Sequence, residues 1–274
     1  MNPVAVITGT THGIGRVTAR ELARAGQRVI MLCRDLAAAQ GVAAEIRREV
    51  PGAELECVAC DLASLASVRA AALAVLKMPG PIALLVNNAG IVSARHRRSV
   101  DGFELTFATN HLGPFLLTEL LRDRIAPGGR IVTVASRAHR RNPLPYEGVT
   151  DPHERYRAVR AYARSKLANI HHTFALARRA RGIAVNCLHP GVVRTHLLPA
   201  WLKLVQPLWS GPVFDVERGA RTSLYLALAP EAGALHGCYL DEHGRVTQPS
   251  ALALDTARQE ALWEASLRYT GLTG

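Results

Sequence analysis

The stretch Val4-Ala5-Val6-Ile7-Thr8-Gly9-Thr10-Thr11-His12-Gly13-Ile14-Gly15 decides how the whole chain is read. A short run of β-branched and apolar residues predicts a buried strand, the glycines that follow predict a tight turn, and a helical pattern opens near Ile14. Glycines let a backbone turn sharply and approach a pyrophosphate, whose charge is met by amide N–H groups at the helix N-terminus. The spacing is not that of the G-x-G-x-x-G fingerprint, because the glycines stand at 9, 13 and 15. Alone, such a turn is often only a tight connection, so its weight depends on what surrounds it.

What surrounds it is a βαβ array. Runs rich in Val, Ile and Leu predict strands at 4–8, 28–33, 54–59, 82–87, 130–135, 183–189 and 238–240, separated by amphipathic stretches such as 14–25, 64–76, 103–125 and 160–179. Gly26, Pro51-Gly52, Pro79-Gly80-Pro81, Pro127-Gly128-Gly129 and Gly182 each precede a strand and mark where a helix has ended. No fixed-period repeat or flexible linker divides the chain. We therefore expect one domain over residues 1–274, a Rossmann-type, doubly wound α/β fold with about seven parallel strands and helices on both faces. Residues 193–216 break the rhythm: Pro199, Pro207 and Pro212 alternate with Trp201 and Trp209, too apolar for an ordinary solvent loop. A lid over a ligand and an extra layer closing the core both suit such a segment.

With 274 residues, 49% hydrophobic and 20% charged, the chain fills a sizeable core and lies far from disordered compositions. Its formal net charge of +11 raises nucleic acid or an anionic membrane as partners. However, the thirty arginines run from Arg16 to Arg268, interleaved with apolar helical residues, without a basic tail or interspersed aromatics. That pattern describes a solvated surface and excludes a nucleic-acid groove. Five cysteines are too few and too scattered to staple the fold, which suits a reducing compartment. Cys57-Val58-Ala59-Cys60 has no second pair and no histidine nearby, so we expect no metal site. The start lacks a secretory pattern, and no window approaches a membrane span, so a soluble cytoplasmic protein is expected.

Two features carry chemistry. The second strand ends at Cys33-Arg34-Asp35, where an NAD-binding fold places an acid against the adenosine ribose. A guanidinium there offers a 2′-phosphate a planar fork of donors, so Arg34, aided by His12, points to NADP(H). Tyr162-Ala163-Arg164-Ser165-Lys166 lies early in a helix, so Tyr162 and Lys166, at i and i+4, share one face. A tyrosine is a poor acid or base near neutrality, and a neighbouring ammonium favours its phenolate, lowering its pKa toward the working range.

With these residues in place the chain resembles a short-chain dehydrogenase/reductase over essentially its whole length. The matching motifs are Thr8 to Gly15, Asp61-Leu62, Asn87-Asn88-Ala89-Gly90, Asn110 in Thr109-Asn110-His111-Leu112-Gly113, Ser136 closing the fifth strand, Tyr162 with Lys166, and Pro190-Gly191 with Thr195. Cys33-Arg34-Asp35, Ser165-Lys166-Leu167-Ala168-Asn169 and Leu262-Trp263-Glu264-Ala265-Ser266 are similar to the retinol-dehydrogenase-like branch, which includes protochlorophyllide-reductase relatives. That branch also carries extra residues between the serine and the tyrosine, as 137–161 do here.

The resemblance implies a role for each residue. Tyr162 is the general acid in reduction and the base in oxidation. Lys166 lowers its pKa and holds the nicotinamide ribose, Ser136 orients the substrate oxygen, and Asn110 holds a water that reloads the proton. Gly9, Thr11, His12, Gly13, Ile14 and Gly15 cradle the NADP(H) phosphates, Asp61 and Leu62 flank the adenine, Asn87 and Gly90 line the channel, and Thr195 binds the carboxamide.

The substrate implied is a hydrophobic small-molecule carbonyl or alcohol, met by Trp201 and Trp209 of the 193–216 lid. His139, with Tyr146 and Tyr156, offers polar contacts from the extra segment. The clusters Arg95-His96-Arg97-Arg98 and Arg137, Arg140 and Arg141 are expected at the ligand-binding edge. Many relatives dimerise through the helices bearing Asn110 and Tyr162, so a homo-oligomer stands among the partners implied. The alternative function is a non-catalytic NADP(H)-binding sensor or scaffold of the same fold, although such proteins usually lose the tyrosine or the lysine, both intact here.

Overall fold

The computed structural model describes residues 2–141, 143, 145–151, 155–194 and 213–273. Seven strands, β1 (Val4–Thr8), β2 (Arg28–Cys33), β3 (Leu55–Ala59), β4 (Ile82–Asn87), β5 (Ile125–Val134), β6 (Ala184–Leu188) and β7 (Cys238–Leu240), form one sheet in the order β3-β2-β1-β4-β5-β6-β7. Every pairing is parallel. The order reverses direction between β1 and β4, which opens a crevice at the C-terminal ends of those strands.

Alternation along each strand divides the core. Ala5 and Ile7 of β1, with Val29 and Met31 of β2, pack under α1 (Gly13–Arg24) and α2 (Leu36–Glu49) on one face. Val4, Val6, Ile30 and Leu32 face the other side and pack under α3 (Leu65–Leu76) and the helices that follow it. Parallel strands covered on both faces need apolar residues at nearly every position, which is why these segments read as continuous runs.

The helix carrying Asn110 comes in three pieces: α4 (Leu105–Phe107), a π-helical turn (Ala108–Leu112) and α5 (Gly113–Leu121). α6 (Ala158–Arg179) carries Tyr162 and Lys166, and α7 (Val216–Leu228) returns to the first face. A short helix α8 (Ala251–Leu254) leads into α9 (Thr256–Thr270), whose Trp263 and Leu267 join Ala175, Leu176 and Ala177 of α6 in one apolar cluster. Thus part of the Tyr162 helix is covered by the chain's own tail.

Between α6 and its neighbours lies a group of buried histidines. His172 contacts the rings of Phe115 and Trp263, His111 bonds Ser266 Oγ at 2.9 Å, and His171 bonds the Tyr146 hydroxyl at 3.0 Å and the Leu252 carbonyl at 2.9 Å. Burial holds His171 at about 4 and His172 at about 3, so both are neutral at pH 7.

Most of the segment expected to form a lid, including Trp201, Trp209 and Thr195, lies outside the described residues. Its two flanks meet: Val192–Val193 pairs in parallel with Val213–Phe214, and the Arg194 amide donates to the Phe214 carbonyl at 3.0 Å. No helix among the described residues is long and apolar enough to cross a membrane. No group of three potential metal ligands occurs among them either.

Candidate active site

A cleft of about 500 Å³ opens along the C-terminal ends of β1, β2, β4, β5 and β6. Its first wall is the turn after β1. Gly9 has φ +73° and Gly13 φ +62°, in the left-handed region that glycine tolerates best. At Gly15 the reason is space: a Cβ there would stand 2.1 Å from the Gly9 carbonyl oxygen and 2.4 Å from Asn88 Nδ2. Gly9, Thr11, His12, Gly13, Ile14 and Gly15 all line the cleft, with the start of α1 facing into it. Bare backbone at the positive end of a twelve-residue helix is a fitting seat for a phosphate.

The tip of β2 adds Cys33, Arg34 and Asp35 to the lining, and the tip of β3 adds Asp61 and Leu62. The Cys33 thiol pairs with Thr10 Oγ1 at 3.0 Å. Asp35 caps α2, its Oδ1 accepting the Ala38 amide at 2.9 Å, which leaves the exposed Arg34 as the strand-tip residue with free reach.

At the other end Ser136, Tyr162 and Lys166 come together on the cleft wall. The Tyr162 hydroxyl hydrogen-bonds Ser136, and Lys166 Nζ lies 5.7 Å from the Tyr162 ring centre. Lys166 Nζ also donates to the Val134 carbonyl at 2.8 Å. The sequence leads one to expect a tyrosine pKa drawn down by Lys166. Instead burial dominates at both groups: it pushes Tyr162 up to about 12, against the Ser136 hydrogen bond, and pulls Lys166 down to about 8. At pH 7 Tyr162 therefore keeps its proton.

Asn110 sits behind this wall. Its Nδ2 donates to the Ile91 carbonyl at 3.0 Å and to Ser165 Oγ at 2.9 Å, while its Oδ1 accepts the Ile91 amide at 2.7 Å. Ser165 Oγ in turn donates to the Tyr162 carbonyl at 2.8 Å, so the π-turn and α6 are stitched together directly behind the tyrosine. A Cβ on Gly90 would meet Asn110 Oδ1 and Lys166 Nζ, each at 3.4 Å; glycine there lets the two converge.

Other expected residues lie elsewhere. Asn87 is buried and turned toward α5, donating from Nδ2 to Thr118 Oγ1 at 2.9 Å, and it is its neighbour Asn88 that lines the cleft. Asn88 Nδ2 binds the Thr8 and Gly9 carbonyls at 2.9 and 3.1 Å and so holds the glycine turn. The alternation of β4 accounts for the difference, since Asn87 shares the α5-facing parity of Leu85. His139, expected in the substrate pocket, is 1% exposed and outside the cleft lining, with both ring nitrogens bonded to protein. Tyr156 donates to the Ser93 carbonyl at 2.6 Å, outside the lining as well. Of the arginine clusters, Arg137 and Arg141 reach the cleft, whereas Arg95, Arg97 and Arg98 do not.

The structure adds partners that the sequence reading did not single out. Arg164 and Glu104 form an ion pair at 3.4 Å with both side chains fully buried. Glu104 also accepts the Thr106 and Phe107 amides at 2.7 and 3.0 Å, and Arg164 reaches the Pro145 carbonyl at 2.9 Å. The pair thereby joins α4, α6 and the segment after Ser136. Glu242, at the end of β7, lines the cleft and binds His189 at 2.6 Å. Neither contact has a local signature, because each partner stands far away in sequence.

A doubly wound sheet with a bare glycine turn at its switch point, opposite a Ser–Tyr–Lys cluster, defines a dinucleotide-binding oxidoreductase architecture. Residues 3–203 match the family model for short chain dehydrogenases, and the chain belongs to the short-chain dehydrogenase/reductase family, in its retinol-dehydrogenase-like branch. Retinol dehydrogenase 14 of Homo sapiens is 40% identical, over 97% of this chain and 86% of that protein. A crystal structure of an uncharacterized protein from Mycobacterium Paratuberculosis superimposes with a TM-score of 0.79 at 33% identity, over 98% of this chain and 94% of that one. A short chain dehydrogenase from Burkholderia cenocepacia J2315, solved in complex with NADP, matches with a TM-score of 0.71 at 28% identity, over 88% of this chain and 95% of that one. The family's cofactor is a nicotinamide dinucleotide, and the backbone cradle at Gly9, Gly13 and Gly15 fits it.

Proposed function

We propose that this protein is an NADP(H)-dependent oxidoreductase that interconverts a carbonyl and an alcohol on a hydrophobic small molecule, with Tyr162 as general acid and base. The observation that carries this reading is the meeting of Tyr162, Ser136 and Lys166 on one cleft wall, in line with the glycine turn. Bound NADP(H) supplies or accepts the hydride. The remaining steps belong to the chain. Ser136 Oγ donates to the substrate oxygen and holds it beside the Tyr162 hydroxyl. Tyr162, protonated at neutral pH as an ordinary tyrosine is and held more firmly so by burial, gives its proton to that oxygen in reduction. Lys166 holds the ribose hydroxyls, and with Asn110, which it meets over Gly90, resupplies the tyrosine. Thr195 is assigned to the carboxamide.

At the adenosine end we assign Arg34 to the 2′-phosphate, supported by the capping role that occupies Asp35. Asp61 and Leu62 flank the adenine. The apolar residues Trp201 and Trp209, together with Val92, Val159 and Val193 on the cleft wall, support an apolar substrate. The test is oxidation of NADPH, followed by absorbance, against a panel of hydrophobic aldehydes and ketones. Turnover of bulky apolar members is expected; cofactor binding without turnover of any member, or of the matching alcohols with NADP, overturns the catalytic reading in favour of a sensor.

A further inference from the structure

Ser136 has an unusual support. β5 ends at Val134, and the last ladder-like bond runs from the Ala135 amide to the Leu188 carbonyl at 2.7 Å. Ser136 itself therefore projects past the sheet, in extended backbone at φ −162° and ψ 151°, where no strand pairing holds it. Its carbonyl oxygen instead accepts two hydrogen bonds from one residue: the His139 amide at 3.2 Å and His139 Nδ1 at 2.7 Å.

The second ring nitrogen of His139 is also committed. Nε2 accepts the Ser250 amide at 3.0 Å, and Ser250 is the N-cap of α8. A nitrogen that accepts an N–H carries no proton, so the single proton of a neutral imidazole sits on Nδ1 and points at the Ser136 carbonyl. One tautomer satisfies both partners. Burial keeps the ring neutral by lowering its pKa to about 4. The ring is wedged edge-on against Tyr239, at 5.4 Å between centres, and Tyr239 stacks on His189 at 5.3 Å. The imidazole thus has no freedom to follow a drifting serine.

We propose that His139 is a positioning residue for Ser136: held between the Ser136 carbonyl and the Ser250 amide, its imidazole fixes the peptide from which the Ser136 hydroxyl reaches Tyr162. The proposal rests on the reading of Ser136 given above. It assigns His139 no contact with substrate or cofactor. The C-terminal segment at 250 acquires a part in the site through this one ring.

Two substitutions separate positioning from packing. In His139→Asn the amide nitrogen takes the place of Nδ1 and still donates to Ser136. In His139→Gln the side-chain oxygen can still accept from Ser250, but the donor to Ser136 is lost. With NADPH and a competent aldehyde, Gln should lower kcat by on the order of 10-fold or more, with KM for NADPH within about twofold, whereas Asn retains most of the rate. Combined with Ser136→Ala, Gln should cost less than about twofold further, as expected of two groups acting as one unit. Equal losses in Asn and Gln, or an undiminished loss in the Ser136→Ala background, overturn the proposal.

A measurement at pH 7 without turnover decides independently. The 13Cζ resonance of Tyr162, assigned with Tyr162→Phe, should move in His139→Gln as it does in Ser136→Ala and stay in place in His139→Asn. An unmoved resonance in Gln sinks the positioning role. Failure of the wild-type protein to turn over any carbonyl sinks the catalytic reading of Ser136 instead and leaves the resonance to judge the geometry.

Discussion

The two ends of the cleft are built from different materials. The adenosine end is mostly backbone: the turn leaves no room for a Cβ at Gly9 or Gly15 and runs through the left-handed region at Gly9 and Gly13, and Asn88 holds it through carbonyl oxygens. The catalytic end is mostly side chains, Ser136, Tyr162, Lys166 and Asn110, brought from three elements and held by further side chains behind them. Backbone sites answer to space, so one added methyl group closes them. Side-chain sites answer to chemistry, so a substitution that keeps the volume but removes a proton donor stops the reaction and leaves binding intact.

Tyr162→Phe tests that separation with the largest effect. It should lower kcat by about 10²- to 10⁴-fold, the range of a general acid, while the Kd of NADPH, read by fluorescence titration, stays within about threefold. A parallel loss of cofactor affinity would merge the two ends into one unit. Gly15→Ala is the opposite perturbation. A Cβ at 2.1 Å from the Gly9 carbonyl must displace the turn; losing about two charge-assisted backbone bonds weakens NADPH by roughly 100-fold, with kcat at saturating cofactor little changed.

Arg34→Asp sharpens the comparison within the adenosine end, since it changes chemistry without touching the turn. On the proposed assignment, the ratio of kcat/KM for NADPH to that for NADH should fall by about 10- to 100-fold, the worth of a charge-assisted hydrogen bond to phosphate. An unchanged ratio removes Arg34 from the 2′-phosphate site.

The smallest effect lies behind the catalytic end, in the buried histidines. His171 at about 4 and His172 at about 3 bind fewer protons folded than unfolded, where histidine titrates near 6.5. Their depressed pKa values make stability fall as pH drops below about 6.5, by about 1.4 kcal/mol per pH unit for each histidine until its folded pKa is reached, and none of this loss occurs above that range. His172→Leu should therefore reduce the difference in unfolding free energy between pH 7 and pH 5 by about 2 kcal/mol, measured by urea denaturation at both pH values. An unchanged difference would mean that His172 is protonated in the folded protein.

How much of this was legible in the sequence follows the same division. The strand positions were readable from apolar runs, because a parallel strand covered on both faces has little choice of residue. The glycine turn and the Tyr162–Lys166 pair were readable because their parts are separated by at most one or two helical turns. Asn87 was misread in place of Asn88, since the motif names a stretch and only the pleat of β4 decides which asparagine faces the cleft. His139 was misread as a substrate contact because a polar residue after a catalytic serine gives no sign of its distant partner, Ser250.

The sequence by itself determined the doubly wound sheet, the family, the glycine turn and the Tyr162–Lys166 pair, because these depend on periodicity and on short spacings that survive without the rest of the chain. The tertiary structure alone decided that burial raises the Tyr162 pKa, that Glu104 and Arg164 are buried together, and that His139 is clamped between Ser136 and the distant Ser250. The physical reason is common to all three: desolvation and long-range hydrogen bonding are set by which residues fold over a group, and the partners stand 60 positions apart for Glu104 and Arg164 and 111 for His139 and Ser250.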